Sequence, residues 1–532
     1  MAFILVAVLQ LAAERATLRS YDEGLVLYGA SRVADGAMPY RDFWSMYGPG
    51  SYYALAGLAR IFGESVLTGR LFDAASRAAI VLLVFALIWR SAGRTSALVC
   101  AGLSFVLLVV VRDYLFPALP ATALALLSLY ALARALLDRP AGAPVGWALV
   151  GASAGATLLF RHDFGLGVAF ACLWSLVVPW GSERLGLRRA TRACLAFVGG
   201  AVVVAGPLYC WLLAGMPVVD LYDNLVRIPM TVYVANRSLP FPHLFGTLHY
   251  AFKQRLPDLL LLLLVYLPPV VSLLGTALVV ARRRGSAALT AGERASSRLF
   301  ESALLLLLLL CAKGLVRVDL VQMLPAMVVS IVVAGLALPA VRWPGSRGSR
   351  EVVLTAFLVA GFVLAVGSVR AWQAEPSLAA RFADRADCAA SGVARLGCFV
   401  VDADRLAVLR YLKQHARAGD ALYVGAGRHD KLFVNNVELY FLSGLPAATK
   451  WADLHPGVQT TAVVQRTMIA EMDSRPPAFV VVNTAWDDQQ EPNASRYSSG
   501  VTLLDDYLRD RYVPAFRSGS YTVSLPRAGA AP

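Results

Sequence analysis

Residues 20–53 read SYDEGLVLYGASRVADGAMPYRDFWSMYGPGSYY, and they follow the apolar run AFILVAVLQLAA at 2–13 after only a short gap. Leu25, Tyr28, Ala30 and Val33 recur at roughly helical spacing behind an acidic first turn, where a helix amino terminus favours carboxylates. On structure alone, Asp22 would be an N-cap with Glu23 in the first turn. The following stretch, MPYRDFWSMYGPGSYYALAGLARIFG at 38–63, is an aromatic, Pro/Gly-punctuated turn feeding a second amphipathic helix. Helices of that kind lie in the plane of a membrane interface.

The whole chain explains why such a stretch needs a membrane. Of its 532 residues, 58% are hydrophobic and 16% charged, against about 25% charged in soluble domains. Apolar runs near 2–13, 76–90, 95–111, 117–137, 146–160, 164–180, 193–214, 257–281, 299–312, 320–341 and 351–372 predict about eleven spans, because a spanning helix needs about 20 apolar residues. The first run lacks the basic start and small-residue cleavage site of a signal peptide and reads as an anchor. The net charge of +14 comes largely from arginines in alternate loops, such as Arg188, Arg189 and Arg192, or Arg282, Arg283 and Arg284. Positive residues in short loops stay cytoplasmic, so the excess sets topology and gives no reason to expect nucleic acid. With the amino terminus inside, the 20–53 stretch and everything after Trp372 are expected on the extracytoplasmic, periplasmic side, in the multi-pass pattern of a bacterial inner-membrane protein.

The expected fold class is therefore a polytopic α-helical membrane protein with a carboxy-terminal extracytoplasmic α/β domain. Residues 1–373 form the membrane module, with a long first outer loop at about 14–75; residues 374–401 are a linker. Residues 402–532 are the small domain. In that domain DALYVGAG and PAFVVVNT read as strands, and NNVELYFLSG and TAVVQRTMIAEM as helices. Five of the seven cysteines lie in apolar runs and read as buried side chains. Cys388 and Cys398 stand apart in polar sequence, where an oxidising compartment would allow a disulfide.

Once the basic loops are set aside, the charges that remain gather on the outer face. They include Asp22, Glu23 and Asp35 in the first loop, Arg112 and Asp113, FRHDFG at 160–165, and KGLVRVDLVQMLP at 313–325. Charge near the hydrocarbon edge is costly unless it faces a cavity, a partner or water. For an isolated Arg227, a snorkelling side chain is the simpler reading. For the two short turns, where both signs crowd between apolar runs, a binding role is the better one.

The acidic DE after the first run, the helix ending in ADG, PYRDFWSMYGPGSYYALAGLARIFG and then GRLFDAASRAAIVLL together resemble the GT-C superfamily of membrane glycosyltransferases, in the branch containing protein O-mannosyltransferases and aminoarabinose transferases. The resemblance implies transfer of a sugar from a polyprenyl-phosphate donor to a lipid, glycan or protein acceptor at the outer face of the bilayer. It implies Asp22 as the general base that deprotonates the acceptor, with Glu23 beside it as a second catalytic residue, helper or orienter of the base. The lipid-phosphate leaving group would be met by cations at Arg112, Arg161, His162, Lys313 and Arg317, with Tyr47 of the aromatic turn also contacting substrate. Asp113, Asp163 and Asp319 would orient those cations, and a divalent ion could join them, although no ligand spacing specifies a metal site. A transporter or lipid flippase is the alternative, but it should carry ionisable groups inside its spans.

Overall fold

The computed structural model describes residues 1–111, 113–138, 142–178, 186–242, 264–284, 289–340, 377–383, 388 and 391–527. Ten of the eleven apolar runs contain a helix, and the run at 351–372 lies outside the described residues. In chain order the first nine helices are α1 (Ala2–Ala13), α2 (Asp22–Ala34), α3 (Gly50–Phe62), α4 (Val66–Ala92), α5 (Arg94–Val110), α6 (Ala118–Leu137), α7 (Pro144–Phe160), α8 (His162–Val177) and α9 (Leu187–Gly215). Among the described residues, five helices are long and apolar enough to cross a membrane: α4, α6, α9, Ala291–Gly314 and Leu320–Ala337. The apolar helices α1, α5, α7 and α8 are shorter, at 12 to 17 residues. At 1.5 Å per residue they fall short of a hydrocarbon layer about 30 Å thick.

Helix α4 differs most from its expected bounds, beginning at Val66 rather than 76. Its first turns carry Arg70, Asp73 and Arg77, all buried, which hid them from a reading based on apolar runs. They are buried because they are paired. Arg77 bonds Asp73 at 2.5 Å, and Arg70 bonds Glu23 of α2 and, at 3.1 Å, Glu14 just after α1. Buried charges persist only when so matched. The network ties three separate segments at one level of the molecule.

The carboxy-terminal module is a four-stranded mixed sheet in the order β1-β2-β4-β3, with β1 (Leu422–Ala426), β2 (Phe479–Asn483), β3 (Tyr512–Ser518) and β4 (Tyr521–Pro526). β1 and β2 run parallel in the register Val424 to Val481, while the β3–β4 hairpin pairs antiparallel to β2 through β4. Both expected strands and both expected helices are present, the latter at Glu438–Ser443 and Ala462–Ser474.

This module does not hang free of the first loop. Leu25, Val26 and Tyr28 of α2 share one apolar core with Val424, Tyr440, Val481 and Val523, and the Tyr28 and Tyr440 rings lie 5.2 Å apart. Gly24 makes the approach possible, because a Cβ there would fall 2.7 Å from the Glu438 backbone nitrogen. Leu18 N–H donates to the Val400 carbonyl and Val400 N–H to the Ala16 carbonyl, both at 2.9 Å, so the linker is stitched to the start of the first loop. Cys388 and Cys398 form a disulfide within that linker.

Candidate active site

The adjacent acids of the DE pair have different surroundings because successive helical residues point about 100° apart. Glu23 faces inward, fully buried, where it accepts from Arg70 and from the Arg19 backbone N–H at 2.9 Å. Asp22 faces a cavity of about 560 Å³, walled also by Tyr21, Tyr47, Asp113, Tyr233, Arg237, Arg317, Asp319 and His455. Tyr47 donates its hydroxyl to Asp22 Oδ1 at 2.9 Å. Burial raises the Asp22 carboxyl above the usual aspartate range, with the Tyr47 hydrogen bond and the Arg237 and Arg317 charges opposing it. That combination gives a carboxylate more basic than an exposed one.

Tyr47 is delivered by the GPG turn. A Cβ on Gly48 would meet the Phe160 carbonyl oxygen at 2.5 Å, so only glycine lets this turn rest on the carboxy-terminal end of α7. The same contact brings Tyr47 beside the next residue of that turn, and the Arg161 guanidinium lies 5.8 Å from the Tyr47 ring centre. Two sequence-distant turns thus meet over one tyrosine.

A second lobe of about 270 Å³ adjoins the first, sharing Met46, Tyr47, Tyr233, Arg317 and Gln322, and adds Arg161, His162, Asp163 and Lys313. Arg161 is held by Asp163 through two hydrogen bonds of 3.0 and 2.7 Å. Lys313 donates to Gln322 at 2.8 Å. Arg317 borders both lobes and donates Nε to Asp319 at 3.1 Å. Asp319 also caps the helix Leu320–Ala337 by accepting from Gln322 N–H at 2.8 Å, so the acid that orients the arginine is itself fixed. Arg112 lies outside the described residues.

Several groups in or beside this cavity were not singled out from sequence. Arg237 follows a π-helical stretch at Asp223–Tyr233, in a long loop where lone arginines read as solvated. Asp453 and His455 come from WADLHPG in the carboxy-terminal module. Burial pushes Asp453 up to about 7, with the Tyr21 hydrogen bond opposing and the Asp22 charge adding to the rise. His455 Nδ1 contacts the Pro456 carbonyl at 3.0 Å. A carbonyl only accepts, so Nδ1 carries the proton and Nε2 the lone pair. Burial and the Arg237 charge hold this histidine neutral, down to about 3. Its ring stacks 5.6 Å from Tyr233. The one available signal was that the chain has only six histidines. Among the described residues, no group of three or more His, Cys, Asp or Glu side chains could hold a metal ion.

No protein-family model and no curated protein matches the chain. Solved structures do. The crystal structure of ArnT from Cupriavidus metallidurans bound to undecaprenyl phosphate superposes with a TM-score of 0.55 at 14% identity, covering 100% of this chain and 98% of that one. The chain has the GT-C fold. The apo structure of the same ArnT gives a TM-score of 0.56 at 13% identity over 98% and 96% of the two chains. The agreement over nearly full length takes in the carboxy-terminal module as well as the helices.

Proposed function

We propose that this chain is a membrane glycosyltransferase that moves a sugar from a polyprenyl-phosphate donor to an acceptor hydroxyl on the extracytoplasmic face. The observation that carries the proposal is that Asp22 and Arg317 line one cavity, which adjoins a lobe holding Arg161 and Lys313. One carboxylate is thereby placed against a set of cations from turns far apart in sequence. That an ArnT of the same fold binds undecaprenyl phosphate supports the donor class.

In this reading Asp22 removes the acceptor proton as the acceptor oxygen bonds to the anomeric carbon. The bond from that carbon to the phosphate oxygen breaks, and its electron pair stays on the departing lipid phosphate. Positive charge builds on the sugar ring in the transition state, and the leaving group is already anionic, so it needs cations rather than a proton donor. Arg317, Arg161 and Lys313 supply them, arginine with a fork suited to phosphate. His162 lines the same lobe, and Tyr47 holds Asp22 toward the acceptor. Glu23 acts through structure, anchoring α2 to α4. The Cys388–Cys398 disulfide supports an oxidising, extracytoplasmic side for the linker and the module beyond it.

Reconstituted with polyprenyl-phosphate sugars, the Asp22→Asn variant should lose about 10²- to 10⁴-fold in transfer rate while keeping its melting temperature. Unchanged turnover would refute the base assignment. Arg317→Ala and Arg161→Ala should chiefly raise the donor concentration at half-saturation. Mass spectrometry of lipids that co-purify with the chain identifies the donor.

A further inference from the structure

The Arg317 guanidinium has five N–H donors, and most of them are engaged by the chain's own groups. Nε donates to Asp319 at 3.1 Å. Nη1 donates to the Arg237 carbonyl at 2.8 Å and to Glu491 Oε2 at 3.0 Å, and Nη2 donates to Glu491 Oε1 at 2.6 Å. One N–H, on Nη2, is left for anything else in the cavity. A phosphate cannot be gripped with the two-pronged fork that makes arginine effective while Glu491 occupies both prongs.

Glu491 differs from Asp319 in what ties it down. Asp319 belongs to the same turn as Arg317 and caps the next helix. Glu491 comes from the carboxy-terminal module, on the segment between β2 and the short helix Ala494–Arg496. Among the described residues, its side-chain partners beyond Arg317 are Arg237, at 3.5 Å, and Asn493, at 3.0 Å, both outside the membrane helices. Asn493 in turn donates to the Ser238 carbonyl at 2.9 Å. The contacts to Arg317, Arg237 and the Ser238 carbonyl join the module to loops and turns beside the cavity, and the Asn493 contact braces Glu491 within the module.

We infer that Glu491 is a carboxylate latch: it occupies the Arg317 fork as a stand-in for the donor phosphate and yields it when a lipid phosphate enters, so that donor binding loosens the 489–497 segment. This rests on the phosphate role proposed for Arg317 above. Glu491 is a positioning residue; it touches no reacting atom. The exchange is one anion for another on the same donors, so affinity for the donor is set by the difference between the two.

The sign of the effect separates a latch from a strut. In nanodiscs, with farnesyl phosphate as the probe, Glu491→Gln in the full chain should bind about tenfold more tightly than wild type, since a neutral amide competes less well than a charge-assisted pair. Arg317→Ala should bind more weakly, and adding Glu491→Gln to it should bring no gain. If Glu491→Gln binds equally or less well while Arg317→Ala weakens binding, the latch is overturned and the phosphate role survives. If wild type binds no farnesyl phosphate, or Arg317→Ala binds as wild type does, both readings fall. A second measurement needs no variant: farnesyl phosphate should speed amide hydrogen exchange across residues 489–497 of the wild-type chain, and slowing or no change overturns the latch.

Discussion

Asp22 and Glu23 are neighbours with the same chemistry, and the surroundings of each separate their roles. The Asp22 carboxyl is raised by burial and held down in part by the Tyr47 hydroxyl. A general base must be ionised, so the rate should climb with pH through the Asp22 titration, in a limb lying above the usual aspartate range. Tyr47→Phe removes an interaction that favours the ionised form. The limb should therefore move to still higher pH, with roughly tenfold lower activity near neutrality, as expected for one lost hydrogen bond to a charged group. A pH–rate profile of the variant measures both, and a limb moving to lower pH would contradict the assignment. Asp22 stood out as a candidate only through the resemblance of its motif, since the acidic first turn by itself reads as a helix start. Asp453 and His455 did not stand out, because nothing local in WADLHPG distinguishes a cavity wall from an ordinary loop.

At the scale of elements, α2 is positioned by charge on one side and by apolar packing on the other. Arg70 reaches from α4 to Glu23 and Glu14, while Leu25, Val26 and Tyr28 pack on the carboxy-terminal module. Glu23→Gln leaves a buried guanidinium partly uncompensated and should cost about 3 kcal/mol of stability. The expected result is a clear drop in melting temperature in detergent, with turnover per folded molecule little changed, opposite to the pattern for Asp22→Asn. Thermal unfolding followed with a single-turnover assay tells the two apart. Helices and strands were legible from periodicity because apolar runs and alternation are local. The early start of α4 was not, since Arg70, Asp73 and Arg77 look solvated until their partners arrive from other segments.

For the molecule as a whole, the first loop, the linker and the carboxy-terminal module behave as one cap over the helices. The module contributes His455 to the wall of a cavity whose other walls come from the first loop and the helix turns, and pairs Glu491 with the Arg317 of that cavity. The Cys388–Cys398 bridge closes a short loop beside the Ala16–Leu18 contact with Val400. Replacing both cysteines by serine should cost about 2–3 kcal/mol, the range for a short closed loop. Reductant should lower the melting temperature of the wild type and leave the double variant unmoved; equal response in both would mean the bridge adds no stability.

Composition, apolar runs and the one-sided placement of arginine by themselves determined the helical architecture, the α/β module and the charged turns of Arg161 and Arg317, because each of these rests on patterns a few residues to a few turns long; Asp22 became a candidate through the family resemblance of the first hundred residues. Tertiary structure alone decided that Glu23 serves Arg70, that Tyr47 joins Asp22 to the Arg161 turn, and that Glu491 closes on Arg317. Those pairings span up to 174 residues of chain. A charge carries no record of its partner until folding excludes water and brings the two together.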